Sequence, residues 1–169
     1  MKSIFEYLST KVKSSIIKAT DDNIQQIVKH EINQLGYEAD LNHINVSDVT
    51  NMKELFYNKS KFNGDISNWD VSKVENMSGM FGLSKFNNDI SNWDVSNVED
   101  MSDMFSNSKF NGDISNWDVS NVKNMSYMFY NNKLFNGDIS NWDVINVKDM
   151  SDMFYNSPLE NNPPKWYKK

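Results

Sequence analysis

Eight aspartates recur at two fixed places of a repeated sequence, and carboxylates at such regular spacing could hold a cation. Four lie at one place and four at the other: Asp65, Asp89, Asp113 and Asp138, then Asp70, Asp94, Asp118 and Asp143. Calcium takes about six to eight oxygen ligands and binds between the coils of some β-helix repeats. Each aspartate here is isolated, however, and an Asp beside a turn readily accepts backbone hydrogen bonds. We therefore expect these side chains to hold turns, with calcium binding as the alternative.

The sequence contains no group of residues typical of a catalytic site. Its two histidines, His30 and His43, are 13 positions apart and belong to no zinc-binding motif. The six glycines are isolated, so no phosphate-binding loop or dinucleotide-binding fingerprint is present. There is no cysteine, which excludes disulfides and thiolate metal sites. We expect a protein that is not an enzyme and that needs no cofactor or metal.

Composition and charge narrow the range of partners. The 169-residue chain carries 17 basic and 23 acidic side chains, a net charge of −6, so it should repel nucleic acid. No run approaches the roughly 20 apolar residues that span a bilayer. The first 20 residues contain no apolar stretch long enough for a secretory signal. We therefore expect a cytoplasmic protein, in the host cytoplasm if a phage encodes it, that binds neither nucleic acid nor membrane.

The aspartates belong to a tandem repeat that occupies most of the chain. Four copies, repeats 2 to 5, begin with FNGDISNWDVS or a one-residue variant of it. Their tryptophans are Trp69, Trp93, Trp117 and Trp142, at steps of 24, 24 and 25 residues. A degenerate copy, repeat 1, reads LNHINVSDVTNMKELF and has Ile44 in place of tryptophan. A stacked array needs atypical repeats at its ends, where the neighbour is not another repeat.

The apolar spacing within a copy predicts the shape of each unit. The pattern I-x-x-W-x-V-x-x-V has the spacing of a leucine-rich repeat, which places a short strand over W-x-V. Val122, Met125, Met128 and Phe129 follow at helical or 3₁₀ steps. We predict an α/β repeat solenoid: a leucine-rich-repeat-like right-handed coil of short parallel strands and short helical or 3₁₀ turns. Its methionine and tryptophan columns should form the core.

The segments on either side of the repeats are predicted to cap them. Two amphipathic helix stripes precede the repeats: Ile4, Phe5, Leu8, Val12 and Ile16, then Ile24, Ile27, Val28, Ile32 and Leu35. Thr20 is the predicted N-cap of the second helix and Gly36 its C-cap. Docking to a partner or a membrane surface is the alternative role of these helices. The predicted domains are a helical cap (1–40), a five-repeat solenoid (41–156) and a C-terminal cap or tail (157–169), in which Trp166–Tyr167 cover the last repeat.

The segment FNGDISNWDVSNVKNMSYMF resembles the repeats of the BspA-like family of bacterial surface proteins, a family of unknown function. Such repeats occur in mycoplasma lipoproteins and in gut-bacterial and phage proteins. The resemblance extends over roughly residues 41–167. It implies a leucine-rich-repeat-like solenoid and, for secreted members, adhesion or binding to a host surface. The family offers no catalytic motif to transfer.

Positions that vary between copies are the candidates for partner recognition. The outward residues around each tryptophan are nearly identical, which favours a hydrogen-bonding ladder or a repetitive ligand over one irregular epitope. The variable positions lie around the helical turn: Lys73, Glu75, Gly79, Asn97, Glu99, Asp103, Lys123, Tyr127, Lys148 and Asp152. We predict a non-enzymatic module whose partner is another protein, with cell-surface adhesion of the BspA-like type as the alternative.

Overall fold

The computed structural model describes residues 16–168 of the chain. These residues contain strand β1 (Ile17–Lys18), helix α1 (Ile24–Leu35), strand β2 (Ile44–Asn45) and a 3₁₀ helix (Pro158–Glu160). β1 and β2 pair in parallel, with Ile17 opposite Ile44. Within this part of the chain, no helix has both the length and the apolar character needed to cross a membrane. Most of the described chain consists of turns, and hydrogen bonds between neighbouring repeats stabilise them.

Helix α1 places its apolar side against repeat 1, in agreement with the predicted second stripe. Ile24, Val28 and Ile32 are buried in the common core. Gly36 ends the helix with a φ of 95°, a left-handed value that favours glycine, and its N–H donates to the Ile32 carbonyl. The first predicted helix, from Ile4 to Ile16, lies outside the described residues apart from Ile16 itself.

The predicted N-cap at Thr20 is wrong. The helix begins at Ile24, after Asn23, and no side chain caps it. The carboxylate of Asp21 accepts hydrogen bonds from the Thr50 N–H (2.8 Å), the Thr50 hydroxyl (2.7 Å) and the Asn51 N–H (3.0 Å). The polar residues before the helix therefore tie it to repeat 1 instead of capping its first turn.

A fixed set of backbone hydrogen bonds joins each repeat to the next. In repeat 3 the N–H groups of Met101, Asp103, Phe105 and Asn107 donate over 2.8–2.9 Å to the carbonyls of Asn124, Ser126, Met128 and Tyr130. The residues between these donors close turns within their own repeat, as the Met104 N–H does with the Met101 carbonyl (3.2 Å). Alternate residues therefore bind the neighbouring repeat, and the residues between them shape the turn.

The strand predicted over W-x-V is not formed in the four tryptophan-containing repeats. The Trp93 N–H donates to the Ile90 carbonyl (3.2 Å) and the Val98 N–H to the Val95 carbonyl (2.9 Å), so the stretch consists of two turns. Repeat 1 alone has a strand at this place, β2, because β1 lies beside it. Pairing between repeats begins further along, at parallel bridges such as the one from Asp100 to Asn124.

Equivalent side chains stack in columns and form the core, as their spacing predicts. The four repeat tryptophans are each 4% exposed. The Phe81 ring stacks on Phe105 of the next repeat, with centroids 5.7 Å apart, and on Phe86, with centroids 4.2 Å apart. Eight methionines are fully buried: Met52, Met77, Met80, Met101, Met104, Met125, Met128 and Met153. Burial of this apolar and aromatic surface is the main favourable contribution to folding.

The tail extends the tryptophan column beyond the last repeat. Trp166 follows Trp142 by 24 residues, and their ring centroids are 6.3 Å apart. The Trp166 indole N–H donates to the Ile139 carbonyl (2.9 Å), as Trp142 does to Ile114 (3.2 Å). Trp166 thus repeats the contact that each repeat tryptophan makes with the repeat before it. The division into cap, repeats and tail stays a prediction.

Candidate functional site

The recurring aspartates hold turns, as predicted. Each carboxylate of the first set, Asp65, Asp89, Asp113 and Asp138, accepts a hydrogen bond of 2.9–3.0 Å from the N–H of the serine two positions later. In the second set, Asp70 accepts bonds from both the N–H (3.2 Å) and the hydroxyl (2.6 Å) of Ser72. These bonds stabilise the charged form, so they lower the pKa of the Asp65 and Asp70 carboxyls.

The turn bonds are made to one oxygen, Oδ1, of each aspartate. Within residues 16–168, no three His, Asp or Glu side chains converge as metal ligands would. Stacking brings Asp65 and Asp113 near Asp89, and because their charges are also negative they oppose the lowering of the Asp89 pKa. The hydrogen bonds from Ser91 outweigh that repulsion, and the Asp89 pKa falls below its ordinary value. The aspartate ladder therefore stabilises its charges with protein donors.

Candidate residue Asn97 links one repeat to another. Its side-chain amide donates to the Ser72 carbonyl of the preceding repeat at 2.7 Å. Asn121 and Asn146 make the equivalent contact at the same distance. Lys73 occupies this place in repeat 2 and forms an ion pair with an aspartate of repeat 1 instead. The residues at this position therefore join repeats to one another, although their variation in the sequence predicted a role in partner recognition.

Four charged candidates form a second row along the repeats. The N–H of Glu99 donates to the Glu75 carbonyl, that of Lys123 to Glu99, and that of Lys148 to Lys123, each over 2.8 Å. Two acids are thus followed by two bases. Glu99 and Lys123 form an ion pair where the sign changes, with about half of each side chain exposed. The row has a negative end toward repeat 2 and a positive end toward repeat 5.

Four of the ten candidates lie together in one groove. Lys73, Glu75, Asn97 and Glu99 line an open depression of about 500 Å³ whose lining comes from four repeats. Its remaining walls come from Thr50 and Asn121. The lining is polar, with two acids and one base. We refer to this depression as the charged groove.

The other candidates do not belong to that groove. Gly79, Asp103, Tyr127 and Asp152 form a separate row whose φ values are 62°, 55°, 57° and 51°. Gly79 and Asp103 line a smaller depression of about 310 Å³, where burial raises the pKa of Asp103. Left-handed backbone suits glycine and is rare for an aromatic residue such as Tyr127. The ten predicted residues therefore form at least two surfaces and not a single one.

Sequence reasoning missed an aromatic cluster on the later repeats. The Tyr127 ring meets Tyr130 edge-on at 5.6 Å, and Tyr130 stacks on Tyr155 at 5.1 Å. Tyr130 and Tyr155 directly follow the phenylalanine that ends their repeats, a place held by Gly82 and Ser106 in repeats 2 and 3. That variation is as large as at the chosen candidates and would have identified both tyrosines.

Lys148 and Asp152 line a third depression, which lies between repeat 5 and the tail. It is an open cleft of about 540 Å³ that also includes Tyr155, Glu160 and Tyr167. The sequence could not indicate this cleft, because its far wall depends on how the tail folds back. Lys148 and Asp152 are thus grouped with tail residues and not with the charged groove.

His43 has a structural role. Its Nε2 lies 2.9 Å from the Glu31 carboxylate, which joins α1 to repeat 1, and both side chains are largely buried. His30 is mostly exposed on the same helix.

Stacked, mutually hydrogen-bonded copies of one sequence unit define a repeat protein. The sequence matches a family of Mycoplasma proteins of unknown function, DUF285, over residues 22–109 and again over residues 82–168. The chain therefore belongs to this family, which confirms the predicted resemblance at this level. No curated protein and no solved structure shows significant similarity to the chain.

Proposed function

We propose that this chain is a non-enzymatic module that binds another protein through its repeats. The proposal includes a leucine-rich-repeat-like, right-handed solenoid of the BspA-like type, acting in the cytoplasm. Support for the solenoid comes from equivalent backbone bonds at successive junctions and from continuous columns of stacked rings. A stack of this kind presents one extended surface, which repeat proteins commonly use for binding.

One observation carries the proposal: recurring and variable side chains have different uses. The recurring Asp, Ser and Trp side chains bond to the backbone, as Trp117 does to the Ile90 carbonyl (3.1 Å). Lys73, Glu75 and Glu99 are exposed and line the charged groove, and the exposed Lys123 and Lys148 continue the row of charges beyond it. Charged side chains that make no recurring bond to the backbone are therefore grouped where a partner could contact them.

The shape of the charged groove favours a protein over a small molecule. Small-molecule sites are enclosed and mainly apolar, with a few convergent polar groups. This groove is open, polar and spread over four repeats. A large partner could contact several repeats at once, whereas a small ligand would remain mostly in solvent.

The charge order along the row predicts how a partner would be oriented. Glu75 and Glu99 attract a basic surface, and Lys123 and Lys148 attract an acidic one. Complementary charge of this kind guides association and register more than it raises affinity. Binding should therefore weaken as salt screens the row, because exposed charges are screened over about 8–10 Å at ordinary ionic strength.

The test compares two double variants as baits for affinity capture from the producing cells. Lys123→Glu with Lys148→Glu makes the row acidic throughout, using the residue that repeats 2 and 3 carry at this place. Lys109→Glu with Lys165→Glu changes the net charge equally at exposed positions outside the depressions. We expect the first variant to lose specific partners by about tenfold or more and the control to keep them.

Two results would contradict the proposal. Equal capture of partners by both folded variants would show that binding does not depend on the charged row. Attachment of the protein to outer cell surfaces, with no capture inside the cell, would favour the adhesion alternative. Circular dichroism of each bait ensures that a loss of capture does not reflect unfolding.

A further inference from the structure

Repeat 5 presents a row of backbone donors that has no acceptor within residues 16–168. At the preceding junction, the N–H groups of Met125, Tyr127 and Phe129 donate to repeat 5 over 2.8–2.9 Å. The equivalent groups of repeat 5 are those of Met150, Asp152 and Phe154, and none of them makes a hydrogen bond to the described chain. All three residues line the open cleft of about 540 Å³.

The neighbouring backbone groups define the pattern further. The fourth donor of the row, the Asn156 N–H, is paired with the Glu160 carboxylate at 2.9 Å. On the other side, the Lys148 carbonyl has no described donor, although its counterpart in Lys123 accepts the N–H groups of Lys148 (2.8 Å) and Asp149 (3.4 Å). The edge of repeat 5 therefore offers one acceptor followed by three donors at alternate residues.

Apolar side chains accompany this open edge. Val119, Val122 and Met125 of repeat 4 are at most 1% exposed because repeat 5 covers them. Their counterparts Val144, Val147 and Met150 are only partly buried and line an adjoining cleft of about 380 Å³ with Trp166. Ile145, which replaces the serine of the other tryptophan-containing repeats, is 82% exposed. Unpaired edges and exposed apolar surface together are typical of a site for another chain.

We propose that this terminal edge binds an extended segment of a different polypeptide, which adds to repeat 5 as a further repeat would. The segment runs parallel to residues 148–154, donates an N–H to the Lys148 carbonyl and supplies carbonyls to Met150, Asp152 and Phe154. An apolar side chain of the segment covers Val144 and Val147. Backbone pairing provides the affinity, and the apolar contact provides the specificity.

A second copy of this chain fits the edge poorly. Two copies of the same edge would place donors opposite donors. At the opposite end, α1 covers repeat 1, and the Gln25 side chain already donates to the Lys53 carbonyl at 3.1 Å. Apart from Leu35 in its last turn, the exposed side of α1 is polar, so it offers little apolar surface to Val144 and Val147. The occupant is therefore a separate polypeptide.

The test measures amide hydrogen exchange by NMR on the 169-residue chain, with and without a synthetic peptide. The peptide has the sequence of residues 119–132, which supplies this set of groups to repeat 3. In the free chain, we expect the amides of Met150, Asp152 and Phe154 to exchange about 100-fold faster than those of Met125, Tyr127 and Phe129. Saturating peptide should slow the exchange of these three amides by about tenfold.

A pair of variants tests the apolar part of the site. Ile145→Asp should weaken peptide binding by about tenfold, because it places a charge beside Val144 and Val147. Ile16→Asp is the control, since Ile16 is 74% exposed near β1 and away from this edge. Both variants leave the charged groove intact, so this inference and the proposed function can fail independently.

Three results would overturn the inference. Slow exchange of the three amides in the free monomer would show that the edge is already covered. Slow exchange that appears only at high protein concentration, without peptide, would indicate a second copy as the occupant. Equal protection by a scrambled peptide, or no protection at millimolar peptide, would exclude specific pairing at this edge.

Discussion

The recurring tryptophan contributes both ring area and one buried hydrogen bond. Trp117 is 4% exposed and donates its indole N–H to the Ile90 carbonyl at 3.1 Å. We expect Trp117→Phe to lower the free energy of unfolding by about 1–3 kcal/mol, because it removes one of the two hydrogen bonds to the buried Ile90 carbonyl and leaves a small cavity. Urea denaturation measures the change. Trp166→Phe is the matched control, and its smaller effect reflects a half-buried site; equal losses would contradict the argument.

The aspartate turns predict that the protein is destabilised in acid. The hydroxyl and N–H of Ser120 lower the pKa of Asp118 below its ordinary value of 3.8. A carboxyl whose pKa is lower in the folded state stabilises the fold above pH 3.8, and this contribution is lost as the pH falls through the folded-state value. The melting temperature should therefore change little near neutrality and fall below about pH 4.

Asp118→Asn is the variant that checks the cause of this acid sensitivity. The Asn amide oxygen can still accept the Ser120 N–H, but it does not titrate. The variant should lose less stability than the wild type between pH 5 and pH 2, with the melting temperature as the measurement. If the melting temperature of the variant falls as steeply with pH as that of the wild type, this turn does not contribute to the acid sensitivity.

Sequence reasoning at the residue level succeeded for side chains that act locally. The hydrogen-bond partners of Asp89 and Asp113 are serines two positions away, so these turn bonds could be predicted from residues close in sequence. The left-handed backbone of Tyr127 was not predicted, although Gly79 and Asp103 at the same place were a signal for it. The groove could not be predicted, since it requires knowing which variable positions face the same side.

At the scale of the structural element, two glycines in equivalent places have different surroundings. A Cβ on Gly64 would lie 2.4 Å from the Ala39 carbonyl oxygen, whereas one on Gly112 would meet the Phe110 ring and lie 3.8 Å from the Asn88 carbonyl oxygen. Asn88 already occupies this place in repeat 3, where its amide donates to the Asn63 carbonyl at 2.6 Å. The turn therefore accepts a side chain wherever a normal repeat precedes it.

This difference gives a matched pair of substitutions. Gly64→Asn should destabilise the chain by about 1–3 kcal/mol, because the backbone before repeat 1 must move. Gly112→Asn should cost less than about 1 kcal/mol, because repeat 3 shows that asparagine fits. Chemical denaturation measures both changes, and equal losses would contradict the proposed role of Ala39.

Elements were predicted correctly where periodicity alone determines them, and wrongly where distant contacts decide. The 3.6-residue stripe located α1, but its start was misplaced because Asp21 bonds to Thr50, 29 positions away. The W-x-V strand was expected from the spacing of leucine-rich repeats. The Trp93 N–H closes a turn within its own repeat, and so does the Ile44 N–H, but only repeat 1 has a neighbouring segment, β1, that pairs with it as a strand at this place.

At the scale of the whole molecule, the repeats predict that a complete unit can be removed. Deleting residues 86–109 joins Lys85 to Phe110 and recreates the Ser-Lys-Phe-Asn sequence found at residues 108–111. Repeats 2 and 4 then meet through the same N–H and carbonyl rows that now join repeats 2 and 3. In a nearest-neighbour array, stability is the sum of the units and their interfaces, so the shortened chain should remain folded but less stable. Its urea m-value should fall by about one seventh, in proportion to the surface lost.

The same deletion tests the proposed solenoid, because a linear stack and a closed shape respond differently to it. Repeats paired through parallel bridges stack at about 4.8 Å. Small-angle X-ray scattering should therefore show a maximum dimension shorter by about 5 Å, with an unchanged cross-section. A shortened chain that folds cooperatively but loses cross-section instead of length would exclude a linear stack. Because the deletion removes Asn97 and Glu99 but leaves repeat 5 unchanged, the shorter chain should lose part of the charged groove and keep the terminal edge.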